Sequence, residues 1–341
     1  MRLTIYQDAR VFSDLQSEWN DLLHRSTSNR IFSTWEWQST WWEAYHPGDL
    51  WVTAFRNDDN QLIGIAPWFI GHHQEQRQVV HSIGCVEVSD YLDLIIDTHH
   101  IESVLAALVD HLKDQSSLFD SINLCNIVED SPTKTCLPHF LEQAGFTVTC
   151  SQQEVCPTIQ LPANWEDYVA GLNKKYRHEL RRKLRRAEGA VEQIDWYIVG
   201  EEHDLDEELD RFLKLMAASH PEKAGFLEDP QNTDFFRTVT PILFERGWLQ
   251  LSFLTVDGTA AAAYLNFDYN NHILVYNSGL LPGEYGHLSP GIVLLGQNIR
   301  HAIESRREVF DFLRGDESYK YQMGGQDTRL FMLEAYWGDQ S

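Results

Sequence analysis

Residues 248–279 hold the pattern that most restricts what this chain can become. WLQLSFLTV, the turn Asp257-Gly258, TAAAAYLNF, a second turn at Tyr269-Asn270-Asn271 and HILVYNSG are three strand-forming runs joined by short turns. Asp-Gly and Asn-rich turns accept left-handed backbone, which reverses a twisted strand tightly onto its neighbour. A three-stranded antiparallel meander is therefore expected. IVLLGQNIRHAIES follows it and places Ile292, Leu295, Ile299 and Ile303 on one helical face.

The same alternation runs through the rest of the chain. In the first half, Leu15, Trp19, Leu22 and Leu23 have helical spacing, and IFSTWEWQSTWWEAYH predicts an aromatic helix ended by Pro47-Gly48. LWVTAFR and LIGIAPWFI predict a hairpin about residues 57–60, with Pro67 marking an edge. VVHSIG, YLDLIID and FDSINLCNI read as strands, IESVLAALVDHLKD as a helix, and CLPHFLEQAGF as a short helix stopped at Gly145. In the second half, EQIDWYIV, EVFDFLRG and RLFMLEAYW read as strands. Leu205, Leu209, Phe212, Leu213 and Met216 mark a helix, and residues 235–244 another, with Pro241 a kink or break. A chain of 341 residues suits two domains. The expected architecture is α/β with mostly antiparallel mixed sheets, in domains 1–150 and 151–341.

Charge sets the second constraint. The chain carries 27 Lys+Arg against 51 Asp+Glu, a formal charge of −24. NKKYRHELRRKLRRAE (173–188) opposes that balance: between Lys174 and Arg186 it holds eight basic residues and one acid, Glu179. Tyr176, Leu180, Leu184 and Ala187 give it a narrow apolar helical stripe, and Gly189 can end it. Its like charges at i, i+4 each destabilise a helix by roughly 0.2–0.5 kcal/mol. Either acids of the body neutralise them, or Arg177, Arg181, Arg182 and Arg185 read a phosphate or carboxylate through their guanidinium forks. An acidic body repels DNA and anionic membrane, leaving room only for a local anion site.

The five cysteines show no C-x-x-C spacing, so reduced cytoplasmic thiols are expected, without a disulfide framework or a cysteine zinc site. His72-His73 and His99-His100 lack ligand spacing, and no metal site is expected. MRLTIYQDAR is not a secretory signal, and no apolar run is long enough to span a membrane. The expectation is a soluble cytoplasmic protein.

Two stretches carry candidate chemistry. GEYGHLSPG (283–291) lies between a strand and a helix, where Ser289 can cap and Pro290 can take the first helical position. Free N–H groups at such a start favour a pyrophosphate. DFLRGDESYKYQMGG (311–325) follows a strand with Asp311, Arg314, Asp316, Glu317, Tyr319 and Lys320 close together. Asp316 or Glu317 suits a general base and Tyr319 a general acid; the alternative is an Arg–Asp–Glu–Lys network closing a loop. G-x-S-x-G, Walker A and G-x-G-x-x-G motifs are not found in the sequence.

Taken in order, these pieces resemble a family, the CelD-type GNAT-fold acyltransferases associated with cellulose and exopolysaccharide genes and related to the FemABX aminoacyltransferases. The resemblance rests on Trp19, Phe32, Trp37, Trp41-Trp42 and LIGIAPWFI in the first half. In the second it rests on KYRHELRRKLRRAEGA, the meander, YNSGLLPGEYGHLSPGIVLL and DFLRGDESYK. It implies two tandem GNAT-like domains, the second catalytic, and acetyl or another acyl group moved from acyl-CoA to an amine on a sugar or cell-envelope precursor. It further implies that Gly286, His287, Ser289 and Gly291 contact the CoA pyrophosphate, although GEYGHLSPG departs from the Q/R-x-x-G-x-G/A loop of many GNAT enzymes. Tyr276 and Ser278 then lie on the strand whose N–H steadies the thioester oxygen. The FemABX likeness implies an alternative, aminoacyl-tRNA as donor with the cationic helix as its contact. A third possibility is a GNAT fold that binds a partner in polysaccharide synthesis without chemistry.

Overall fold

The structure is a computed structural model that describes residues 1–72, 77–85, 88–281 and 283–338. It divides into two units, Met1–Val155 with Thr328–Ser341, and Cys156–Asp327.

The first unit begins with β1 (Arg2–Tyr6), α1 (Arg10–His24) and α2 (Trp35–Tyr45). α1 buries Leu15, Trp19, Leu22 and Leu23, the stripe its spacing predicts. The Thr34 hydroxyl accepts from Trp37 N and starts α2. Next come β2 (Gly48–Leu50), β3 (Val52–Arg56), β4 (Leu62–Ala66), β5 (Trp68–His72), β6 (Gln78–Ser82) and β7 (Ile95–Ile96). α3 (Ile101–Asp114), β8 (Ser121–Val128), α4 (Pro132–Thr135) and α5 (Leu137–Ala144) complete this stretch.

β3 and β4 form the expected hairpin, but Pro67 does more than mark an edge. It divides LIGIAPWFI between two sheets, with β4 in the order β1-β3-β4-β7 and β5 between β2 and β6. Proline has no N–H to carry a ladder onward. YLDLIID supplies only the two-residue β7. His72 meets Asp49 at 3.0 Å, while His73 lies outside the described residues. The five-thiol expectation is corrected at one pair: Cys85 and Cys125, 40 residues apart in sequence, form a disulfide, and Cys136, Cys150 and Cys156 are free. Their pairing is set by folding and has no local spacing to announce it.

β9 (Phe146–Gln160) carries the chain into the second unit. There follow α6 (Trp165–Gly171), α7 (Lys174–Glu188), β10 (Ile194–Ile198), α8 (Leu205–Ser219), α9 (Pro221–Glu228) and α10 (Pro230–Glu245). The meander is β11 (Leu249–Val256), β12 (Thr259–Tyr269) and β13 (His272–Leu280). After it come α11 (Pro290–Glu304), β14 (Val309–Asp311) and α12 (Ser318–Gln322), and β15 (Gln326–Trp337) returns the chain to the first unit, to which it belongs from Thr328 and within which it pairs with β8.

β10, β11, β12 and β13 are antiparallel neighbours, and Asp257, Gly258, Asn270 and Asn271 take the left-handed backbone their turns require. α10 runs through Pro241 without ending. Its buried Phe235, Phe236, Val239 and Leu243 hold the helix together where one backbone bond is lost. The core of this unit sets Leu294, Leu295, Ile299 and Ile303 of α11 against Leu254, Ala262, Tyr264 and Val275 of the sheet. Gly279 lets α8 approach β13, since a Cβ there would lie 2.6 Å from Met216 N. Among the described residues no helix is long and apolar enough to cross a membrane.

Candidate functional site

The sheet of the second unit opens at one place. β13 and β14 run parallel for three residue pairs, His272↔Val309, Ile273↔Phe310 and Leu274↔Asp311. β14 then ends, while β13 continues to Leu280. On its other side β13 stays paired to β12 but shifts register between Leu265 and Asn266, which face Asn277 and Val275. Tyr276 is thus the extra residue of a bulge, a device that bends a strand and re-aims its groups. Pairing of the two parallel strands stops at Leu274 and Asp311, and the edge of β13 that runs on without β14 beside it, residues 275–280, is taken as the slot.

Three elements surround this slot. The first is the start of α11. Pro290 takes the first helical position as expected, but Ser289 does not cap: its backbone is left-handed at φ 56 and its hydroxyl makes no capping bond. Its carbonyl instead accepts from the N–H groups of Ile292 and Val293. Tyr264 Oη donates to the Gly291 carbonyl at 3.3 Å. Gly291 lies against the Leu280 side chain, whose Cδ2 would be 2.8 Å from a Cβ placed there. Gly286 is exposed with open space where its Cβ would stand. His287 turns outward to Glu192 at 3.1 Å.

The second element is the loop into α12. Lys320 is buried, and its Nζ lies 3.2, 2.5 and 3.1 Å from the carbonyl oxygens of Leu313, Arg314 and Gly315. The same ammonium pairs with Glu317 at 2.9 Å. This clasp holds Leu313 in left-handed backbone at φ 55. Glu317 and Asp316 are exposed, whereas Tyr319 is half-buried with its ring edge-to-face on Phe312. Burial, and then the Glu317 charge, raises Tyr319 far above an ordinary phenol, so it stays protonated. Tyr264 is raised by its burial and then by Tyr319.

The third element is α7. Its stripe lies inward, with Leu180 and Ala187 buried and Leu180 and Leu184 against Gly296 of α11. Arg186 Nη1 donates to the His287 carbonyl at 2.9 Å, fastening the helix to the turn before α11. Of its basic groups, Arg182 and Lys183 pair with Glu179 of the same helix, at 2.6 and 3.7 Å. Arg177 donates to the Ala170 carbonyl and Arg185 to that of Arg181. Among the described residues no carboxylate from elsewhere pairs with α7, so the acidic body leaves this face cationic. Tyr176, Glu179, Lys183, Ile292, Tyr319 and Gln322 line one hollow, and a second beside it adds Lys175, His178 and Arg182. Tyr319 and the cationic helix therefore share a wall.

Two residues expected at the site are otherwise engaged. The Tyr276 ring packs against Phe236 and Phe267, with centroids 5.8 and 4.8 Å away. Ser278 N donates to Asn277 Oδ1 at 2.9 Å. The sequence reading missed Lys223. It sits in α9 with Nζ 2.6 Å from the Ser278 carbonyl, and burial lowers its pKa to about 8 against the opposing pull of Glu317. Among the described residues, no group of three or more His, Cys, Asp or Glu side chains is placed to hold a metal ion.

Comparison with known proteins agrees with this geometry. Residues 174–321 match the family model of an acetyltransferase (GNAT) domain. The crystal structure of FemX superposes with a TM-score of 0.66 at 12% identity, covering 97% of each chain. A conserved protein of unknown function from Bacteroides thetaiotaomicron gives 0.59 at 12% identity, over 98% of this chain and 100% of that one. The C-terminal domain of a putative lysylphosphatidylglycerol synthetase from Agrobacterium fabrum gives 0.55 at 10% identity, over 95% and 92%. No curated protein matches the chain. The fold is mixed α/β with GNAT-like domains and mostly antiparallel sheets, and the domain match supports an acyltransferase.

Proposed function

We propose that the second unit transfers an acyl group, acetyl or larger, from acyl-CoA to an amine on a sugar or cell-envelope precursor. The slot between β13 and β14, next to the start of α11, is the observation that carries this reading. An extended thioester arm fits along that edge of β13, and the open face at Gly286 together with the first turn of α11 suits a pyrophosphate. The bound donor supplies an activated acyl carbon. Tyr319, held neutral, donates a hydrogen bond to the sulfur as the C–S bond breaks. An N–H of the bulged β13 segment faces the acyl oxygen. Arg177, Arg181, Arg182 and Arg185 supply the anion-reading wall, for a phosphate or carboxylate of donor or acceptor.

One observation favours a second reading. Among the described residues the cationic face of α7 meets no carboxylate from the rest of the chain, which suits a polyanionic donor such as aminoacyl-tRNA. The two separate in one assay. Thiol release from acetyl-CoA is followed with amino sugars and other amine-bearing envelope precursors as acceptors, beside transfer from labelled aminoacyl-tRNA. Amine-dependent thiol release supports the acyl-CoA reading. Transfer only from tRNA, falling steeply with salt, replaces it with the second.

A further inference from the structure

Acyl transfer to an amine needs a group to take the amine proton, and the expected carboxylate is poorly placed for that work. Glu317 is paired at 2.9 Å with the buried ammonium of Lys320, so its carboxylate is already engaged on its own loop. Asp316 is exposed on the same loop. Lys223 stands on the other side of the slot. Its Nζ donates to the Ser278 carbonyl at 2.6 Å and lies 3.3 Å from Ser278 Oγ. Ser278 belongs to the stretch of β13 that runs beyond the end of β14.

The charged surroundings of Lys223 are simple. Glu317 is the charge that acts on it, from the loop before α12, and no charge on α8, α10 or β13 contributes. At the start of its own helix, Glu222 lies 3.7 Å from the His220 ring. A half-buried ammonium gives up its proton more readily than a solvated one, and the single carboxylate in range opposes that only in part. Two of its hydrogen-bonding directions point at Ser278, which leaves the lone pair of the neutral amine another direction in which to meet a substrate.

We propose that Lys223 is the proton acceptor for the attacking amine, held at the slot by its bonds to Ser278. This rests on the acyl-transfer reading above. As the acceptor nitrogen bonds to the acyl carbon, one N–H proton passes to the neutral Lys223 Nζ. The C–S bond breaks, and the departing thiolate takes up a proton from water while hydrogen-bonded to Tyr319. Lys223 then releases its proton to solvent, so each turnover returns the site to its starting state.

The test is competitive amine labelling of the full chain with N-succinimidyl acetate across a pH series, read peptide by peptide by mass spectrometry. Labelling of Lys223 should reach half its limit near pH 8, well below that of a free lysine derivative added as internal standard, about 10.4. Glu317→Gln should move the Lys223 midpoint lower, a response a purely structural lysine near no charge would not give. Free CoA, at a concentration that raises the unfolding temperature, should slow labelling at Lys223 and leave Lys174 unchanged. A Lys223 midpoint that tracks the added lysine standard, no labelling at any pH, or CoA binding without protection overturns the proposal. If CoA produces no thermal shift, the acyl-CoA reading fails, and the pH midpoint and its response to Glu317→Gln decide the role of Lys223.

Discussion

Lys320→Met tests whether the buried clasp holds the loop that presents Glu317 and Tyr319. The wild-type ammonium side chain is 3% exposed and serves three carbonyl oxygens within 3.2 Å, together with Glu317. Hydrogen bonds to a charged group contribute roughly 1.5–3 kcal/mol each. They are offset by the cost of burying the charge, and breaking such an arrangement from one side costs about 3–5 kcal/mol. Methionine refills part of the volume, and Glu317, at 57% exposed, regains water. The expected loss is therefore about 3 kcal/mol, at the lower end of that range. Urea unfolding gives the energy, and hydrogen exchange of residues 309–323 shows whether the loop loosens. A loss below about 0.5 kcal/mol, typical of a surface change, with unchanged exchange at 313–317 would refute the clasp.

Other consequences follow from particular contacts. Arg181→Ala with Arg185→Ala removes two cations that pair with no described carboxylate, so stability should change by less than about 0.5 kcal/mol. In steady-state kinetics the same pair should raise KM for the anionic substrate with kcat nearly unchanged; a collapse in thermal stability would instead make α7 a structural helix. Gly279→Ala forces a methyl to 2.6 Å from Met216 N, and unfolding curves should show an overpacking cost of about 1–3 kcal/mol. For Lys223 the folded pKa is lowered by burial to about 8 from the ordinary lysine value of 10.5. Between these values the unfolded chain binds more protons, so this residue makes stability rise with pH. Urea titrations of wild type minus Lys223→Met should show that rise; a flat difference across the window would contradict the burial described.

What the sequence revealed divides along physical lines. The meander, α11 and α7 were legible because their signals are local: turn residues at fixed offsets and apolar positions at helical spacing. The basic helix is just as plain in the sequence, but that no described carboxylate of the body pairs with it shows only in the folded chain. Features that depend on distant pairing were missed. Lys223 meets Ser278 from 55 residues away, and nothing in HPEKAGF distinguishes a half-buried lysine from an exposed one. Asp316, Glu317 and Lys320 looked alike in DESYK, yet Lys320 is buried while its neighbours are exposed. Ser289 had the residue type of a cap, but its left-handed backbone directs the carbonyl, and not the hydroxyl, into the helix. Pro67 was read as an edge marker because a single strand run gives no sign that its halves enter different sheets. The pairing of β15 with β8 was equally hidden, since RLFMLEAYW carries strand propensity but no information about its neighbour.

The central claim is that the slot between β13 and β14 takes an acyl-CoA. Thermal unfolding with acetyl-CoA, free CoA and bulk aminoacyl-tRNA, at low and moderate salt, tests it most directly. Ligand at 100 times its Kd adds about 2.7 kcal/mol of apparent stability. Acetyl-CoA and CoA should each raise the unfolding midpoint at both salt concentrations. No shift with either, beside a salt-sensitive shift with tRNA, would contradict the claim and give the site to a tRNA-borne donor.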